Sequence, residues 1–339
     1  MMRFLLLLVT WLLCAPARAA APEPPPGWHV ATFSGGVVMG DPSDRAVVDR
    51  LADHADEALP RLADELGIPP ELAVSVTLAP SQVAFRDMQP GRAPTWADGT
   101  AWPTDGLIFL RSPRLRPGTS TPLSTVFDHE LVHVLMGQAF GDRPVPTWLQ
   151  EGVAKVLARE VNESMTDALA GAMLTGRLLS LDEITRGFPA EPGRAQLAYA
   201  QSTDLVAFIR NHWGKEALQM VIRRMAAGED VDTALRAATG LSPRALDAAW
   251  RGRLLASPLW LKALAQPGLW LGGGSLLFVV AGLFRLRRSH RKYDEMAKQE
   301  ELEDRRREEA LMAALARRVP PSAPLWGRTP PDDGPGMVH

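Results

Sequence analysis

His129-Glu130-Leu131-Val132-His133, followed by Pro146-Thr147-Trp148-Leu149-Gln150-Glu151-Gly152, is the stretch on which the reading of this chain turns. Two histidines four apart on a helix project to one side, one above the other, so their imidazoles can converge on a single metal ion. The carboxylate between them, Glu130, stands beside that position. In the pattern H-E-x-x-H it is not a ligand but the base that takes a proton from the water the metal activates. Glu151 follows His133 after a turn-rich spacer and can close a His₂Glu set. Three protein ligands leave one coordination position for water, which is the arrangement of a catalytic zinc site and not of a structural one.

The second segment reads as a new helix. Pro146 ends what precedes it, and Thr147 with Gln150 three residues on fits a capping box. Trp148, Leu149, Val153, Val156 and Leu157 then recur at helical spacing. Gly137, Gly141, Pro144 and Pro146 supply the reversal between the two helices. An antiparallel pair of helices brings position 151 against positions 129 and 133.

His129-Glu130-x-x-His133, a short spacer and Trp148-Leu149-x-Glu151-Gly152-x-Ala154 resemble the gluzincin metallopeptidases, and in particular the small bacterial peptidase MA-like domains. The resemblance covers roughly residues 28–255. It implies a zinc metallopeptidase in which Zn²⁺ is held by His129, His133 and Glu151, Glu130 is the general base, and a peptide or protein is the substrate. Two features differ from the usual pattern. Gluzincins often carry an acid or asparagine four residues after the ligand glutamate, in support of a histidine; Lys155 stands there. The Gly-x-Met-Glu-Asn segment of the aminopeptidases is absent, which points to an endopeptidase.

The ends of the chain read differently from its middle. Arg3, the apolar run Phe4 to Leu13 and Ala17-Arg18-Ala19 form a signal peptide over 1–19. The one cysteine, Cys14, falls inside it, so disulfides and zinc–thiolate sites are excluded from the processed chain. Residues 263–284 carry no charge, are long enough to span a bilayer, and are followed by Arg285, Arg287, Arg288, Arg291 and Lys292. The expected topology is a single-pass bacterial inner-membrane protein with the domain at 28–255 periplasmic and the tail at 285–339 cytoplasmic. That tail reads as a charged helix that gives way to a Pro-rich disordered stretch. Gly268 and Gly272 fit the small-xxx-small pattern of a weak dimer through the span. Lys plus Arg number 37 against 39 Asp plus Glu, with no basic patch, so nucleic acid is not an expected partner.

Within the exported part, alternation and β-branched residues predict strands over Trp28–Phe33, Val37–Met39, Leu72–Leu78 (one face buried) and Gly106–Arg111. Helices are expected over Asp44–Leu66, kinked or split at Pro60, over Val83–Met88, and from near Ser124 onward. Beyond Glu151 the pattern is helical: Glu163–Met173, Ala198–Trp213, Glu216–Met225, Val231–Thr239 and Pro243–Leu255. The fold class is therefore α+β, a small mixed sheet subdomain feeding a helical subdomain that carries the H-E-x-x-H helix, plus one C-terminal transmembrane helix. In gluzincins the sheet's edge strand receives an extended peptide, which makes Trp96 to Ile108 the expected cleft wall. Gluzincins also stabilise the oxyanion with a Tyr or His from a helix after the third ligand; Tyr199, expected at the opening of such a helix, fits that role. His29, His54 and His212 lack ligand spacing. The alternative from a different class is a catalytically silent ectodomain that keeps the ligands and acts as a binding or signalling module.

Overall fold

The computed structural model describes residues 23–258 apart from 72, 92, 95 and 161, together with 282 and 285. The signal peptide with Cys14, the apolar segment 263–284 (Gly282 excepted) with its dimer pattern, and the tail after Arg285 lie outside the described residues. Among the described residues, no helix is long and apolar enough to cross a membrane.

Five strands form one mixed sheet, in the order β1-β2-β3-β5-β4. The strands β1 (His29–Phe33) and β2 (Gly36–Gly40) make an antiparallel hairpin closed at Phe33 and Gly36. The strand β3 (Val74–Ala79) runs parallel to β2, and β5 (Leu107–Arg111) parallel to β3. The short β4 (Gly99–Trp102) lies antiparallel on β5 and ends the sheet. A strand of four residues holding Gly, Thr, Ala and Trp leaves no alternation to detect, so the expected cleft wall over Trp96 to Ile108 carries a strand that periodicity does not announce.

Alternation does organise β5. Ile108 and Leu110 face the main core, and Leu107 and Phe109 face a smaller one with Phe85 and Ala79. The expectation for β3 needs correction. Ser75 and Thr77 are as buried as Val76 and Leu78, so both of its faces are covered. The cause is topological: β3 is the central strand, with parallel neighbours on each side and helices above and below.

The helix α1 (Arg45–Leu66) packs Val48, Leu51, Ala55, Leu59 and Leu62 on the sheet and stops at Gly67 in the left-handed conformation. It runs through Pro60 in one piece, because the apolar face on both sides of the proline is held by the core. On the other face lies α2 (Gln82–Asp87), capped by Ser81. Then come α3 (Leu123–Phe140) and α4 (Thr147–Leu157). Six more helices follow: α5 (Glu163–Thr175), α6 (Leu181–Thr185), α7 (Pro192–Trp213), α8 (Lys215–Ala226), α9 (Val231–Thr239) and α10 (Pro243–Ala256).

Two helix starts differ from expectation. The cap of α4 is Pro146, with no side-chain cap; its carbonyl accepts from Leu149 and Gln150, so Thr147 is already helical and no capping box forms. For α7 the start lies earlier than Ala198, at Pro192, because Glu191 accepts from Gly193 and Arg194 and the proline sits at a first-turn position that needs no N–H. Tyr199 therefore projects from two turns inside α7 and not from its opening. Helix α6, with Ser180 and Glu183 forming a capping box, was unread because five residues carry too little periodicity.

Candidate metal centre and active site

Helix α3 is buried almost all round, with Phe127, Leu131, Val132, Val134 and Leu135 fully inside. Burial of each large side chain is worth about 1.5–3 kcal/mol, so the helix has no freedom to rotate its histidines away. Helix α4 is fixed against α3 by Trp148, Leu149 and Val153. It approaches α7 so closely at Gly152 that a Cβ there would lie 2.4 Å from the Ser202 carbonyl oxygen. The glycine beside Glu151 is thus demanded by packing.

These two helices bring His129, His133 and Glu151 together, with one ligand-type atom from each inside a 4.8 Å circle. The two Nε2 atoms are 3.1 Å apart. Glu151 Oε2 is 3.6 Å from His129 Nε2, and its Oε1 is 3.8 Å from His133 Nε2. Donors arranged tetrahedrally at the Zn–N and Zn–O lengths of about 2.0–2.1 Å stand roughly 3.3 Å apart. The observed separations bracket that value, and two imidazole nitrogens and a carboxylate are the donor types zinc takes. The residues fit the ion.

Two neighbours hold the ligand rings. Gln150 Nε2 lies 3.3 Å from His133 Nδ1. Glu160 Oε2 lies 3.0 Å from His129 Nδ1, a close charge contact that is not aligned as a hydrogen bond. Glu160 also pairs with Lys155 at 2.6 Å. Helix α4 sets this up through its C-terminus. Arg159 takes a left-handed φ of 57° and Glu160 N–H returns to the Lys155 carbonyl, so the chain doubles back and aims Glu160 into the site. Lys155, which departs from the usual acid at its position, anchors an acid supplied from five residues further on. No sequence pattern marks that, because it depends on a non-glycine residue in a conformation glycine prefers.

Behind the site, Asp128 accepts from Arg61 at 2.5 Å and pairs with His54 at 2.7 Å. Arg61 also reaches the Leu157 carbonyl, so α1 ties the two ligand-bearing helices together. His54, given no ligand role from its spacing, has this structural one.

Electrostatics follow from burial and crowding. Burial pushes the Glu130 carboxyl up to about 7, with Glu151 and Glu160 adding to the rise. Burial likewise pulls His133 down to about 4. On His129 burial acts the same way, but the carboxylates of Glu151 and Glu160 outweigh it and lift the imidazole to about 9. Glu151 is held below the usual carboxylate range against its burial by the two histidines, and Glu160 similarly by His129 and Lys155. Burial and the neighbouring carboxylates push the Tyr199 phenol above its ordinary value, so it stays protonated.

A cleft of about 250 Å³ opens onto the group. Its wall includes His129, Glu130, Glu151, Lys155 and Tyr199, with Trp96 to Gly99 on the sheet side. Gly99 of β4 touches Glu130: a Cβ there would meet its Oε1 at 2.9 Å. The Tyr199 ring is packed edge-on by Phe188, with centroids 4.7 Å apart, and Lys155 Nζ sits 5.1 Å from its centre. Of the five residues singled out from the sequence, His129, Glu130, Glu151 and Tyr199 line one cleft, and His133 lies buried beside His129.

The sequence model of the Peptidase MA superfamily matches residues 54–256, well over half of the chain. The chain belongs to the peptidase MA superfamily. That match takes in α1 from His54 onward, the sheet from β3 onward and every helix through α10, so the peptidase MA domain includes both the metal-ligand set and most of the packing that builds it. No curated protein matches the chain.

Proposed function

We propose that this peptidase MA domain is a zinc-dependent endopeptidase, held at a membrane by the segment 263–284 with the domain on the extracytoplasmic side. The observation that carries the reading is the convergence of His129, His133 and Glu151 at tetrahedral spacing beside a buried carboxyl, Glu130. Zinc bound there would polarise the substrate carbonyl and make water a nucleophile near neutral pH. Glu130 takes the proton from the attacking water and hands it to the leaving amine, and a carboxyl poised near neutrality suits both transfers. Tyr199, kept neutral, donates to the oxygen on which charge develops. Glu160, against His129 Nδ1, would orient the ring so that Nε2 faces a bound ion.

The competing reading, a silent binding module, draws its motive from Lys155. Its charge is met by Glu160, so it leaves no uncompensated cation beside the ligands. Purified full-length protein in detergent should hold one zinc per chain and hydrolyse casein. Glu130→Gln should keep the zinc and lose hydrolysis. A zinc-loaded parent as inactive as Glu130→Gln would return the protein to the silent class. For topology, a reporter active only outside the cytoplasm should work when fused after Leu255 and fail when fused after Lys292.

A further inference from the structure

Trp96 is 73% exposed, more than any other large apolar side chain among the described residues. It stands on the wall of the cleft that holds Glu130 and the ligand set. An indole left in water at the mouth of a catalytic cleft marks a contact surface, since its area is buried only when something lies on it. Its position is built. The Ala97 amide bonds to the Pro94 carbonyl, Ala97 is buried, and the Arg111 amide bonds to the Asp98 carbonyl, so Trp96 rides a turn anchored at its base.

From there the chain enters β4 at Gly99, which touches Glu130. Three residues span at most about 10 Å even when fully extended, which puts the indole within reach of a substrate side chain two or three positions from the cleaved bond. The charges around it are internally matched. Asp98 pairs with Arg116 at 3.0 Å and Lys155 with Glu160 at 2.6 Å. What remains to receive a side chain is uncharged: Trp96, Ala97, Thr121 and Val126.

We propose that Trp96 is the specificity-determining residue of this cleft, and that the substrate is a peptide carrying a large apolar side chain, such as Phe or Leu, two or three positions from the cleaved bond. This rests on the peptidase reading above. A substrate carboxylate would approach Asp98, Glu130, Glu151 and Glu160, and a basic side chain would find no unmatched acid outside the metal set.

The test uses the full-length, zinc-loaded Glu130→Gln protein, which binds without cleaving. Fluorescein-labelled alanine-based peptides with a single Phe, Lys, Glu or Ala two or three positions from the centre are titrated by anisotropy. The Phe peptide should bind at least about tenfold tighter than the others, a difference of about 1.4 kcal/mol. Adding Trp96→Ala should reduce that preference to within about twofold with zinc content unchanged. A preference that survives Trp96→Ala, or one for the Lys peptide, overturns the assignment. So does a zinc-loaded protein that binds none of the peptides. Casein hydrolysis by the parent separates the two failures: if it is present, only the role of Trp96 falls; if it is absent as well, the peptidase reading falls with it.

Discussion

Glu160 and Tyr199 are the residues at which the chemistry of this site can be taken apart. Glu160→Gln keeps the shape of the side chain and removes its charge from His129 and Lys155. Loss of such support beside a metal-bound imidazole typically costs about 10–100-fold in metal affinity. Competition with a chromogenic chelator should show a drop in that range, and an unchanged affinity would make Glu160 a partner of Lys155 alone. Tyr199→Phe preserves the packing against Phe188. A phenol that bonds only the developing charge acts in the transition state, so kcat should fall by about 10²–10³ with KM little changed and zinc retained. A kcat within a few-fold of the parent would assign the ring to packing.

At the scale of elements, the decisive contact is between α4 and α7 at Gly152. A methyl group there meets a backbone carbonyl oxygen, which cannot rotate aside as a flexible side chain would. The two helices must separate, at a cost of about 1–3 kcal/mol for the overpacked core. Glu151, the adjacent residue, moves with α4. Gly152→Ala should therefore lower both the melting temperature and the zinc content, whereas Gly171→Ala, where a Cβ meets nothing within 4 Å, should lower neither. Equal behaviour of the two variants would show that the packing of α4 does not set the ligand geometry.

For the molecule as a whole, zinc uptake at this site would be coupled to protons. In the metal-free protein His129 keeps its proton up to about pH 9. A histidine must be neutral to ligate, so zinc should displace that proton, with affinity rising with pH until His129 is neutral without help. A raised histidine favours the metal-free folded state at pH below about 6.5, and that advantage disappears as pH climbs through about 9. At about pH 8 zinc titration in an indicator dye should release about one proton per chain. Release of none would mean that His129 is already neutral in the metal-free protein.

The helix of His129 and His133, the helix of Glu151 and the α+β class follow from residue spacing, turn residues and periodicity along the chain. The sequence also determined that Lys155 breaks a usual pattern, but not what answers it. Glu160 reaches His129 only because Arg159 turns left-handed at the end of α4, and backbone reversals of that kind are not written in residue type. The edge strand β4, the coverage of β3 on both faces and the approach of Gly99 to Glu130 were likewise decided in three dimensions. Local propensity sets which residues share a face; which faces meet is settled by the packing of elements distant in sequence, and the cleft belongs to that second kind of information.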